Sequence, residues 1–220
     1  MIIELLGTPS CGKSTFANSV VKKTGAIAPL DIYLYNSSRI IQNCNKVRLS
    51  LFAFWFYNDK ARCYNAIFNT IEFPSKTKKI KMWLYVFSVI GAIWKAKKNF
   101  PEKDLILDEG INQVIWGLLY NEINSTDSVW EFHRLLIPEM ATKIVHFNIE
   151  RDVLKERLLS RRKKGGSELE HEIKTDERVL DLSIGYINEI VEHIKQEGYG
   201  DQIWEYYGGE VKQIESILFN

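Results

Sequence analysis

The chain has 220 residues, a length that suits one α/β domain with a sizeable buried core. A hydrophobic fraction of 45% and a charged fraction of 26% are ordinary globular values, which disfavour disorder and a membrane-spanning class alike. A formal net charge of +1 argues against a large nucleic-acid footprint, and three cysteines without metal-ligand spacing (Cys11, Cys44, Cys63) argue against a disulfide framework.

The segment Ile2 to Leu6 reads as a buried strand. It runs straight into Gly7-Thr8-Pro9-Ser10-Cys11-Gly12-Lys13-Ser14, a full match to G-x-x-x-x-G-K-[ST], with Thr15 following. A strand before the motif and a helix after it, here expected from Ser14 to Thr24, are the context it requires. Gly7 and Gly12 free the backbone to turn successive N–H groups inward, so residues 7–15 form a cradle for an anion at a helix N-terminus. In such a cradle Lys13 reaches the β- and γ-phosphates of a nucleoside triphosphate, and the Ser14 hydroxyl ligates Mg²⁺. Cys11 is most simply a small filler. No basic-then-apolar leader precedes the strand, which leads to the expectation of a cytoplasmic location.

After Gly25, a helix C-cap, Ala26 to Tyr35 has the composition of a second strand, with Pro29 at an edge or bend. From Ser38 onward Ile40, Cys44, Val47, Leu51 and Phe54 draw one apolar helical stripe. Tyr64, Ile67, Phe68 and Ile71 draw another, which Pro74 ends. Ile80 to Lys98 is apolar nearly all round and flanked by lysines. Its uncharged centre, Met82 to Trp94, is 13 residues long, short of the roughly 20 needed to span a bilayer. A buried helix is preferred there over a membrane-surface or partner-binding one.

Asp104-Leu-Ile-Leu-Asp108-Glu109-Gly110 reads as a central strand whose C-terminal end carries Asp108. Open α/β sheets bind ligands at such ends, which brings Asp108 beside the phosphate loop when the two strands are neighbours. Helices are expected over 111–124, 128–136, 150–164, 175–196 and 210–218, strands over 143–149 and 202–206, and a lid over the polar, glycine-containing stretch 163–171. This alternation favours a parallel sheet with helices on both faces.

Asp108 is a second metal-holding group, direct or through water. Glu109 beside it can accept a proton from an attacking hydroxyl, and Asp31 is a second candidate for that task unless it is a turn residue. Arg157 and Arg161 share a helix face, with Arg162 next in sequence; guanidinium groups there stabilise the charge of a phosphoryl group in transfer. The plainer account is a solvated basic face salt-bridged to Glu150, Asp152 and Glu156. Arg39, Arg48 and Arg62 could bind an acidic acceptor or face solvent.

The phosphate loop Gly7 to Ser14, the strand ending Leu-Ile-Leu-Asp108-Glu109-Gly110, the Arg157-x-x-x-Arg161-Arg162 helix and a last short strand before a glycine-containing loop resemble the thymidylate kinase and nucleoside/nucleotide kinase family of P-loop proteins. The resemblance covers roughly residues 1–35 and 104–220. It implies an α/β, three-layer P-loop kinase fold in a single domain, 1–220, with a parallel central sheet, a helical acceptor-binding region at 36–99 and a lid at 157–172. It further implies ATP and Mg²⁺ as cofactors, lid arginines over the phosphates, an adenine contact at Tyr207 to Glu210, and transfer of the γ-phosphate to a nucleotide or nucleoside. An Asp-Arg pair usual in thymidylate kinases after the second strand is missing; here only Asp31 stands, with Arg39 some way beyond.

Two further readings remain open. One is a kinase for another alcohol, such as a sugar, an antibiotic or a lipid-linked saccharide, for which the aromatics Phe52, Phe54, Trp55, Phe56, Trp83, Tyr85 and Trp94 would provide stacking surface. The other is a nucleotide-dependent, membrane-associated regulator, although Asn45-Lys46-Val47-Arg48 lacks the acidic residue of a guanine-reading motif. The expected partner is a small-molecule acceptor and not nucleic acid; a homodimer is compatible with the sequence.

Overall fold

Apolar runs with no polar face require cover on both sides, and the computed structural model gives the strands that cover. It describes residues 1–35, 38–122, 124–140, 142–161, 172 and 176–208. Four strands, β1 (Ile2–Leu6), β2 (Leu105–Leu107), β3 (Lys143–Phe147) and β4 (Ile203–Tyr206), form an all-parallel sheet in the order β2-β1-β3-β4. All five residues of β1 are buried, as expected of a central parallel strand. Its register sets Glu4 opposite Leu107 on one side and Ile144 on the other.

Alternation along β1 divides the interior into two layers. Ile3 and Leu5 pack with Phe16, Ala17 and Val20 of helix α1 (Lys13–Thr24) and Leu154 of a later helix, α7 (Arg151–Arg161). Ile2 and Leu6 face a larger core. That core is built by α2 (Arg39–Phe56), α3 (Asn58–Phe68), α4 (Lys76–Asn99), α5 (Ile111–Asn121), α6 (Thr126–Met140) and α8 (Arg178–Ile194). The result is helix, sheet, helix, the α/β three-layer arrangement expected.

Helix α4 starts at Ser75, whose hydroxyl accepts the Lys78 N–H at 3.1 Å, and it is buried without a break from Val86 to Trp94. The preference for a core helix over Ile80 to Lys98 therefore holds in its second half, whereas Ile80 itself is exposed. No helix among the described residues is long and apolar enough to cross a membrane. All three cysteines are free.

Two expectations are corrected. Ala26 to Tyr35 is not a strand: Ile27 alone bridges to Leu105, and the chain then coils into a wide helical turn over Asp31–Tyr35, begun by the Ile32 N–H bonding to the Ala28 carbonyl at 3.2 Å. The strand-like composition loses to that local bonding beyond Pro29. The stripe of Ile40, Cys44, Val47 and Leu51 faces outward, with Ile40 78% and Leu51 63% exposed; only Phe54 of that set packs inward, against Trp83 and Phe87. The face of α2 that packs carries Leu49, Ser50 and Ala53. Small groups decide this choice. Gly91 of α4 comes so near that a Cβ there would stand 2.2 Å from the Leu49 carbonyl oxygen. The expected final helix over 210–218 lies outside the described residues, as does most of the expected lid.

Close approach of α2 and α4 makes Gly91→Ala an overpacking change, expected to destabilise by about 1–3 kcal/mol. A urea titration should show a lower midpoint with an unchanged slope; an unchanged midpoint would mean that the two helices separate at no cost.

Candidate active site

The loop that leaves β1 is built as its glycines require. Gly12 has φ +112°, open to glycine, and a side chain at Gly7 would meet Cys11 Sγ at 2.8 Å and Phe147 Cβ at 3.0 Å. Cys11 is buried in that gap, the filler role expected of it. The Lys13 ammonium folds across the loop and donates to the carbonyls of Gly7 at 2.6 Å and Thr8 at 3.1 Å. Helix α1 starts at Lys13 with no acidic residue in its first turn and no side-chain cap, which leaves its positive end to an incoming anion.

Because β1 and β2 are neighbours, the residue after β2 arrives beside this loop. The Ser14 hydroxyl donates to Asp108 Oδ2 at 3.0 Å. This hydroxyl and carboxylate form an all-oxygen pair of the kind a hard divalent cation takes together with phosphate oxygens, so the residues present fit Mg²⁺. Among the described residues no group of three or more His, Cys, Asp or Glu side chains is arranged to hold a metal ion. Bound phosphates and water would have to complete a ligand set that begins with Ser14 and Asp108.

Arg157 reaches in from α7 and donates from Nη1 to the Cys11 carbonyl at 3.0 Å. It thus sits on the phosphate loop, and not on Glu150, Asp152 or Glu156. The salt-bridged face of α7 is carried instead by Arg151, with Asp181 at 2.5 Å, and Lys155, with Glu177 at 2.7 Å. Arg161 follows one turn later in α7; its side chain and all of Arg162 lie outside the described residues. Of the expected adenine contact, Tyr207 and Gly208 follow β4 and residues 209–210 are likewise outside.

Around the Ser14–Asp108 pair stands an acidic wall. Asp31 opens the helical turn before α2, and its carboxyl is pushed up first by burial and then by the negative charge of Asp108. Glu109 Oε2 accepts hydrogen bonds from the Tyr35 hydroxyl and, at 3.4 Å, from the Tyr85 hydroxyl. Burial, followed by the adjacent Glu109 charge, drives both phenols above their ordinary range, so they remain protonated donors. Among the described residues no basic side chain forms an ion pair with Asp31, Asp108 or Glu109. Arg39, Arg48 and Arg62 are all exposed.

One carboxylate escaped sequence reasoning. Glu4, in the middle of β1, is wholly buried, and its Oε1 accepts the Asn112 N–H at 2.6 Å at the start of α5. Asn112 Oδ1 in turn meets His133 Nε2 at 2.8 Å. Burial pushes the Glu4 carboxyl up to about 7 against the opposing pull of those amides, and holds His133 down at about 3. The only sequence signal was one charged residue in an otherwise apolar strand.

No protein-family model matches the chain, and no curated protein matches it. Solved structures do match in fold. Deoxyadenosine kinase from M. mycoides with bound dATP superposes with a TM-score of 0.53 at 17% identity, covering 99% of this chain and 97% of that one. The same kinase with bound dCTP gives 0.52 at 17%, again with 99% and 97% covered. Thymidylate kinase from Candida albicans gives 0.52 at 13%, covering 99% of this chain and 88% of that one. The fold is thus that of the P-loop nucleoside and nucleotide kinases over nearly the whole chain.

Glu4 and His133 bend the pH dependence of stability in opposite senses. A carboxyl raised from 4.5 to about 7 on folding stabilises fully below 4.5, and that contribution is lost as pH rises to about 7. A histidine lowered from 6.5 to about 3 contributes stability present above 6.5 and lost as pH falls. Glu4→Gln should therefore remove a decline of about 3 kcal/mol between those two carboxyl values. Denaturant titrations of both proteins across that range would show it; parallel pH curves would contradict the assignment.

Proposed function

We propose that the protein is an ATP- and Mg²⁺-dependent small-molecule kinase that transfers the γ-phosphate to a nucleoside or nucleotide, acting in the cytoplasm where both cofactors are supplied. The single observation that carries the reading is the 3.0 Å contact of the Ser14 hydroxyl with Asp108 at the mouth of the Gly7 to Thr15 cradle. The kinase identities of the structural neighbours support it. In this reading the chain acts as one catalytic unit, with residues 36–99 forming the acceptor side and 157–172 the lid.

Backbone N–H groups from Gly7 to Ser14, with Pro9 and Ser10 shaping the turn, bind the triphosphate oxygens. Lys13 exchanges its bonds to the Gly7 and Thr8 carbonyls for the β- and γ-phosphates. Ser14 and Asp108 would hold Mg²⁺, which supplies neutralisation of charge on the phosphate oxygens. Arg157, already on the loop, adds positive charge at the transferring group, and Arg161 and Arg162 complete the lid set. Glu109 takes the proton of the acceptor hydroxyl; Tyr35 and Tyr85 orient its carboxylate. Asp31, on the same side, orients the acceptor or shares the base role.

The acidic wall favours the nucleoside arm of this reading. An acceptor phosphate would meet the carboxylates of Asp31 and Glu109, neither of which is ion-paired to a basic side chain among the described residues, whereas a neutral hydroxyl finds acceptors for its proton. The same chemistry suits another alcohol, which keeps a sugar or antibiotic kinase as the runner-up.

ATP consumption should rise on adding the right acceptor from a panel of nucleosides, nucleoside monophosphates and sugars, with unphosphorylated acceptors preferred. Lys13→Ala should abolish the rise, and Glu109→Gln should lower kcat by about 10²–10⁴ with ATP affinity retained. Turnover indifferent to every acceptor would sink the kinase reading.

A further inference from the structure

Glu4 occupies a place where physics does not ask for a carboxylate. Its strand neighbours Ile3 and Leu5 are fully buried, and Glu4 itself has no exposed surface. Its Oε1 accepts two amides from the first turn of α5, those of Asn112 at 2.6 Å and Gln113 at 3.4 Å, while Oε2 has no hydrogen-bond partner. An apolar side chain would avoid the desolvation of this group altogether. The benefit of the carboxylate must lie in what it holds.

It holds the start of α5. Gly110 is the N-cap residue of that helix and has no side chain to offer, so no local group closes its first turn. Glu4, 108 residues away from Asn112 in sequence, performs the capping task. The fit is close: a Cβ at Gly110 would lie 2.3 Å from Glu4 Cδ and 2.5 Å from Oε1. The far side of the same turn is held by the 2.8 Å contact between Asn112 and His133.

The consequence concerns the three residues between β2 and α5, namely Asp108, Glu109 and Gly110. One end of this link leaves Leu107, which is in register with Glu4; the other enters the turn that Glu4 caps. Both ends are thus referred to one residue of β1, and β1 is also the strand from which the phosphate loop and Ser14 depart. We infer that Glu4 is a positioning residue for the magnesium pair, fixing Asp108 against Ser14 through the first turn of α5. The inference rests on the reading of Ser14 and Asp108 as the groups that hold Mg²⁺.

The test separates ATP affinity with Mg²⁺ from ATP affinity with EDTA, using displacement of a fluorescent ATP analogue from the full chain, and adds amide exchange at Asn112 and Gln113. Glu4→Leu should cut the Mg²⁺-dependent gain by about tenfold or more, the usual cost of losing a group that orients a metal ligand. Its affinity in EDTA should stay at the wild-type level, because the loop backbone does not pass through Glu4, and exchange at the two amides should quicken. Glu4→Gln keeps an acceptor oxygen and should retain the gain. Gly110→Ala, which leaves Glu4 in place but obstructs its approach, should lose the gain as Glu4→Leu does, and it serves where the leucine variant does not fold. A leucine variant with the full Mg²⁺ gain, or one that loses affinity equally in EDTA, overturns the role of Glu4 while the kinase reading stands. Wild-type protein whose ATP affinity ignores Mg²⁺ overturns both.

Discussion

Parallel pairing of β1 with β2 is the constraint on which the rest of the molecule depends. A strand in a parallel sheet cannot turn back to its neighbour through a tight hairpin, so each strand end discharges its chain at the same edge of the sheet. At that edge β1 releases the phosphate loop and β2 releases Asp108, and the register that sets Glu4 opposite Leu107 leaves the Ser14 hydroxyl 3.0 Å from the Asp108 carboxylate. Every other feature of the candidate site is arranged around this pair. Arg157 approaches the loop from one layer of helices, and Tyr35 and Tyr85, bonded to Glu109, approach from the other side.

The two layers are unequal in what they do. The side with α1 and α7 is a thin cover in which α1 begins at the phosphate loop and α7 sends Arg157 onto it. The opposite side is a thick helical assembly that includes α4, and it supplies Tyr85, one of the two phenols that hold Glu109. Glu4 links the two, since it belongs to the strand of the first and caps a helix of the second.

The parts of this arrangement that could be read from the amino-acid order are those encoded locally in the backbone. Gly7, Gly12, Lys13 and Ser14 form a motif because a turn of this kind before a helix needs glycine at set positions, and Leu105 to Leu107 announce a buried strand by having no polar face. Interactions with a partner far along the chain were legible where a motif at a strand end names the partner, as for Asp108 beside Ser14, and not elsewhere. The periodicity of α2 correctly gave a helix with an apolar stripe, yet the stripe through Ile40 and Leu51 turned outward, because Ser50 and Ala53 allow α4 to approach at Gly91. Ala26 to Tyr35 has the residues of a strand and bonds as a helical turn. Glu4 looked like an interruption of β1, since nothing in its neighbourhood names α5, whose first turn it caps across more than a hundred positions.

A double-mutant cycle on Mg·ATP affinity, with Ser14→Ala, Asp108→Asn and their combination, probes the central pairing most directly. If one Mg²⁺ is shared by the hydroxyl and the carboxylate, each single change removes most of the Mg²⁺-dependent affinity and the combination removes little more. Losses that simply add would mean that the two groups act on separate events, and the account of a shared metal at the end of β1 and β2 would be wrong.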